Sequence, residues 1–169
     1  MSYTMSFETF QKLTKPNSII PVFRIINADF LTPVMTYLKI RQNNKFSFLL
    51  ESVIKGEQLG RYSFIGCTPI DKLSSLPYST ADRSNRKDID SLNFFEKLKV
   101  NLKKYSPIIV EGLPRFTSGA VGYIGYDMVR HIEELPAPKP DPIGIPDAVL
   151  GFYHDLIAFD HLKNQDPYR

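Results

Sequence analysis

A chain of 169 residues with 43% hydrophobic and 23% charged side chains has the size and mix of one folded domain, which buries ~70% of the surface its unfolded form exposes. The net charge is +3, and the densest basic cluster, Arg83 to Lys87, lies between Asp82 and Asp88, so a nucleic-acid-binding stripe is not indicated. No apolar run approaches the ~20 residues needed to cross a bilayer, and MSYTMSFETF lacks the basic start and apolar core of a signal peptide; the reading is a cytoplasmic chain with no membrane partner. The single cysteine, Cys67, cannot close an internal disulfide and reads as a small core residue on a strand.

In chain order, Ser6 suits the N-cap of a short helix carrying Phe7, Phe10 and Leu13, ended by Pro16. The run Ile19 to Ile26 reads as a strand, with Pro21 placing it at a start or an edge. Thr32 as cap and Pro33 at the first helical position predict a helix to about Arg41, with Val34, Tyr37 and Leu38 as its apolar face. In FSFLLES, from Phe46, strand alternation sets Phe46, Phe48 and Leu50 on one face and Ser47, Leu49 and Glu51 on the other. RYSFIG, Arg61 to Gly66, resumes the apolar pattern. If the two runs pair antiparallel, Ser52 and Ser63 come close at the loop end, and the joint is a small polar cup.

From Asp71 to Asp90 the chain is polar and aperiodic, which predicts an exposed loop or a weak hairpin. Asp90 or Ser91 suits the cap of a helix whose Leu92, Phe95, Leu98, Leu102 and Tyr105 form one stripe, with Pro107 past its end. FTSGAVGYIGYD, Phe116 to Asp127, carries Gly119, Gly122 and Gly125 in a strand-like run, the signature of a bulge or of a close backbone or ligand approach. Asp127 suits the cap of a short helix, MVRHIEEL. Prolines from Pro136 to Pro146 then form a stiff connector. Ala148 to Asp160, rich in β-branched and aromatic residues, predicts one long strand or two short ones before the turn-forming LKNQDPYR.

The chain contains no recognisable catalytic constellation. His131, His154 and His161 lack metalloprotease spacing, one cysteine makes no thiolate metal site, no serine occupies a nucleophile elbow, and the glycine run is neither a dinucleotide fingerprint nor a phosphate loop. Read from the residues alone, Glu51 is a strand-end carboxylate that pairs with Arg61 or with water, and Ser52 and Ser63 make local turn hydrogen bonds.

LLES followed by GRYSFIG, then FTSGAVGYIGYD and IPDAVLGFYHDLIAFDH in the same order, resembles the N-terminal region of anthranilate synthase component I. That family uses chorismate to open tryptophan biosynthesis, and it has p-aminobenzoate-forming relatives. The resemblance implies an α/β fold of the α+β type, a mostly antiparallel sheet backed by helices that is an incomplete part of the family's two-sheet sandwich. Residues 1–169 would be the regulatory domain. The chorismate pocket and its Mg²⁺ carboxylates would lie in the catalytic domain, so this chain would hold no cofactor and be inactive alone. A glutamine amidotransferase, component II, would be a partner.

The same resemblance implies that Leu50, Glu51, Ser52 and Ser63 line a feedback site for L-tryptophan. A carboxylate suits the α-ammonium group, hydroxyls suit the polar head, and apolar neighbours suit the indole. Strict alternation sets Glu51 and Ser52 on opposite faces, so both reach one ligand only through a twist, a bulge or a backbone contact. The family completes this pocket with a Pro-Tyr-Met segment of the catalytic domain, and Ser118 stands where its pattern usually has a second glycine. A p-aminobenzoate synthase fragment, an amino-acid-binding module without catalysis and a remnant of an interrupted frame are the competing readings.

Overall fold

The computed structural model describes residues 5–42, 44–51, 60–75, 93–104, 106–136 and 141–162. They form an α+β fold in which two three-stranded sheets and one two-stranded pair are accompanied by helices. The chain divides into two compact units: residues 1–69, 105–119 and 153–169 make the first, and residues 70–104 and 120–152 the second.

The first unit begins with α1 (Phe7–Leu13), capped as expected: the Ser6 side chain accepts from the Thr9 N–H. The strand expected from Ile19 to Ile26 shrinks to β1 (Ser18–Ile19). β1 pairs in parallel with β5 (Ser106–Pro107). Pro21 lacks the N–H that would continue the ladder, and Ile25 and Ile26 are largely exposed. α2 (Pro33–Arg41) starts with the Thr32 cap and Pro33 at its first turn, as expected. Its inner face differs from the expected one. Val34 and Leu38 are about half exposed, Tyr37 is half-buried, and the residue it buries is Thr36.

Next to α2 lies the sheet that carries the candidate site. β2 (Ser47–Leu50) pairs antiparallel with β3 (Tyr62–Cys67), from Ser47 opposite Cys67 to Leu50 opposite Phe64. On the other side of β3 is β8 (Leu156–Asp160), also antiparallel, with Tyr62 opposite Asp160 and Ser63 opposite Phe159. β3 is therefore the central strand, and its Ser63 and Ile65 are almost completely buried. A shared hydrogen bond between Ser47 Oγ and Tyr37 Oη, 3.3 Å, ties α2 to this sheet. Phe48 packs edge-on against Tyr153 at 4.8 Å, and Phe64 against Phe116 at 5.3 Å, the geometry that aromatic quadrupoles favour.

The second unit is built on β7 (Ala148–Tyr153, of which Tyr153 belongs to the first unit), flanked by β4 (Asp71–Ser75) and β6 (Gly119–Ile124, beginning one residue before the unit). β4 corrects the expected loop: Leu73, the lone aliphatic residue of DKLSS, is buried, and the segment runs antiparallel to β7. α3 (Phe94–Lys103) starts at Asn93 instead of Asp90 or Ser91, because Asn93 and Glu96 form a reciprocal capping box. Phe94, Phe95 and Leu98 face the core, while Leu102 is half exposed; Leu92 and Tyr105 lie outside the described residues. The core joins Leu73, Phe94, Met128, Ala148, Leu150 and Phe152.

The glycine run behaves as its composition predicts. A Cβ on Gly122 would stand 1.9 Å from the Val149 carbonyl oxygen, so only glycine admits this approach of β6 to β7. The expected helix MVRHIEEL is a 3-10 helix, Tyr126–His131, without a side-chain cap; Asp127 pairs instead with Arg130 at 2.8 Å. The run from Ala148 to Asp160 is two strands, and they belong to different sheets. Among the described residues no helix is long and apolar enough to cross a membrane. The expectations for residues 76–92 and 163–169 lie outside the described residues.

Three outcomes follow from this packing. Gly122→Ala should lower unfolding free energy by about 2–3 kcal/mol in urea titration, since the obstacle is backbone and cannot rotate away. Thr36→Val should raise stability by about 1 kcal/mol, because the Thr36 hydroxyl is buried and has no hydrogen-bond partner. Burial also holds the Cys67 thiol above its ordinary 9.0 and the Tyr153 phenol above its ordinary 10.0. Both groups then favour the folded state fully below those values and lose that contribution as pH rises through their higher folded values. Stability should fall above pH 9, and Tyr153→Phe should reduce the part of the fall that begins near pH 10, to which the Tyr62 phenol, also raised above 10.0, contributes as well.

Candidate functional site

The site is built where β2 ends beside the start of β3 and the end of β8. FSFLLES ends its apolar alternation at Glu51, and the ladder stops one residue earlier, at Leu50 opposite Phe64. Glu51 lies one residue past that last pair, outside the strand. Both Leu50 (45% exposed) and Glu51 face solvent, whereas Ser63 is 2% exposed. Ser52 lies outside the described residues.

Of the four residues expected to form a site, Leu50 and Glu51 lie at the end of β2 and Ser63 on the neighbouring β3. Leu50 pairs with Phe64, on the opposite face of the sheet from Ser63.

Around that end, three contacts join β3 to β8. The Ser63 hydroxyl and His161 Nε2 share a hydrogen bond of 2.7 Å. Arg61 donates from Nε and Nη2 to the two oxygens of Asp160 at 3.0 and 2.7 Å, a fork-on-carboxylate pair. The His161 N–H donates to the Arg61 carbonyl at 2.8 Å. The guanidinium also lies 4.9 Å from the Tyr62 ring centroid, within cation–π range. Its hydrogen bonds to Asp160 hold the Arg61 charge, raising its pKa above the ordinary value. Burial, then Asp160, raises that of the Tyr62 phenol.

These contacts settle two local readings. Arg61 gives both fork donors to Asp160, so the pairing considered for Glu51 goes to another carboxylate. The Ser63 hydroxyl does not bond within its own turn but reaches a residue 98 positions away. Asp160 and His161 were not singled out from sequence. Their signal was available: like Glu51-Ser52 after FSFLL, Asp160-His161 is a polar dipeptide ending an apolar strand.

A shallow recess of about 290 Å³ near the end of α2, lined by Tyr37, Arg41, Gln42, Asn44, Lys45 and Ser47, is separate from these contacts. Among the described residues no group of three or more His, Cys, Asp or Glu side chains converges on one point.

No protein-family model matches the chain. It is 41% identical over 143 residues to the probable anthranilate synthase component 1 of Schizosaccharomyces pombe, covering 84% of this chain and 26% of that one. Against anthranilate synthase component 1 of Acetivibrio thermocellus it is 35% identical over 156 residues, covering 90% of this chain and 31% of the relative. Among solved structures, the crystal structure of anthranilate synthase component I from Streptococcus pneumoniae TIGR4 aligns with a TM-score of 0.50 and 26% identity, over 85% of this chain and 30% of that one. By sequence and fold together the chain belongs to the anthranilate synthase component I family, and it spans about a third or less of the length of these relatives.

Proposed function

We propose that this chain is the regulatory part of an anthranilate synthase component I and that L-tryptophan binds at the end of β2, against Leu50, Glu51, Ser52 and Ser63. The reading is supported by an exposed Glu51 one residue past the end of β2, in a sheet where the neighbouring strand's Ser63 hydroxyl is held by His161. The carboxylate meets the α-ammonium group and the exposed Leu50 side chain lies against the indole. Ser63 holds the strand end in shape from beneath. Charge-assisted contact at Glu51 supplies the specificity for an amino acid over a plain indole.

In the whole enzyme this reading assigns the chemistry elsewhere. Chorismate, with ammonia released from glutamine by a component II subunit, becomes anthranilate and pyruvate in a Mg²⁺-dependent lyase step in the catalytic domain, in the cytoplasm. The residues of this chain contribute no step. Tryptophan acts as a feedback inhibitor by favouring a less active arrangement of the regulatory and catalytic parts, which requires that it bind the two arrangements with different affinity.

Thermal unfolding of the purified chain with and without L-tryptophan tests the reading. Ligand at ~100 times its dissociation constant stabilises by about 2.7 kcal/mol, or roughly 5–11 °C for a chain of this size. The expected result is a shift of that order with L-tryptophan and none with L-phenylalanine, lost in Glu51→Gln. An unshifted transition in the unsubstituted chain would remove the site.

A further inference from the structure

The two faces of β3 differ in burial. Alternation puts Ser63 and Ile65 on one face, where they are 2% and 1% exposed, and Tyr62 and Phe64 on the other, where both are only partly covered. Leu50 stands directly opposite Phe64, and opposed residues of a ladder project to the same side, so Leu50 joins the more open face. It is 45% exposed. The Tyr62 and Phe64 rings lie 5.9 Å apart at 38°, and each is held by a further neighbour. Phe116 meets Phe64 edge-on at 5.3 Å, and the Arg61 guanidinium, fixed by its fork on Asp160, lies 4.9 Å from the Tyr62 centroid. The result is a preset apolar strip of two rings and one aliphatic side chain. It ends one residue before the exposed Glu51, and a carboxylate beside such a strip complements a ligand that joins an ammonium group to a flat apolar ring.

We infer that Tyr62 and Phe64 are specificity-determining residues of the amino-acid site: with Leu50 they form the platform on which the indole of L-tryptophan lies. The inference deepens the tryptophan reading and rests on it. Aromatic rings gain from each other beyond the area they bury, so the strip favours a ring over an aliphatic side chain of similar size. The fused rings of an indole span both Tyr62 and Phe64, whereas a single phenyl ring covers one of them. Ser63, on the closed face, supports the strand without touching the indole.

The chain contains no tryptophan, so indole fluorescence reports the ligand alone. Fluorescence titration with L-tryptophan tests the inference in five proteins: unsubstituted, Glu51→Gln, Tyr62→Phe, Tyr62→Ser and Phe64→Leu. The unsubstituted chain should bind with a blue shift of the ligand emission, and Tyr62→Phe, which keeps the ring, should match it in affinity and in shift. Tyr62→Ser and Phe64→Leu should each bind about three- to tenfold more weakly, and their emission at saturation should move back toward that of free tryptophan, because part of the platform is gone. Undiminished binding by both overturns the inference while leaving the site standing. Weaker binding with the full blue shift retained also overturns it, since the rings then shape the sheet without touching the indole. No binding by the unsubstituted chain, or unchanged binding by Glu51→Gln, overturns the site itself and the inference with it. If Tyr62→Ser does not fold by circular dichroism, Phe64→Leu decides on the same two readings.

Discussion

The first unit depends on β3 being held on both sides, and the contact that closes it is the Arg61 fork on Asp160. The two residues are 99 positions apart, so their pairing brings β8 to the edge that β2 does not occupy. The His161 N–H on the Arg61 carbonyl and the His161 ring on Ser63 extend the same junction. Closing so long a stretch costs chain entropy that grows only slowly with length, and the buried Ile65 of β3 and Phe159 of β8 supply burial that offsets it. The polar end of the junction fixes register, since a slip by one residue would turn Ser63 and Ile65 out of the core.

The second unit rests on a different constraint, the closeness of backbones. β6 approaches β7 where Gly122 has no Cβ, and the Gly125 N–H donates to the Asp147 carbonyl at 2.7 Å. Side chains are absent from this line of contact. The core instead gathers on Leu150 and Phe152 of β7, with Leu73 of β4 and Phe94 of α3 around them. Ala148 is fully buried, so the small residues and the large ones along β6 and β7 divide the work between close approach and volume.

The functional reading draws on both the family and the local charge arrangement. Membership in the anthranilate synthase component I family rests on the matched relatives, which are about three times as long as the chain. The proposed amino-acid site at the end of β2 rests on the family resemblance and on the exposure of Glu51.

Much of the local structure was legible in the residues. Ser6 and Thr32 announced their caps, FSFLLES and RYSFIG read as strands whose antiparallel pairing was entertained as a condition, and the glycines of FTSGAVGYIGYD signalled close approach. These are short-range properties, set by backbone sterics and side-chain hydrogen bonds within a few residues. Where the sequence reading failed, a distant partner decided the outcome. DKLSS became a strand because β7 offered it a ladder and a pocket for Leu73, and IIPVFRII stayed irregular because Pro21 broke the ladder and only Ile19 of the run found a strand partner. The start of α3 was local, but two plausible caps upstream concealed the Asn93–Glu96 box. The residues of the candidate site divide in the same way: Leu50, Glu51, Ser52 and Ser63 were expected from the family resemblance carried by LLES and GRYSFIG. Asp160 and His161 required the tertiary structure, because the pairing of β3 with β8 is a contact across nearly a hundred residues, and no periodicity within either strand encodes it.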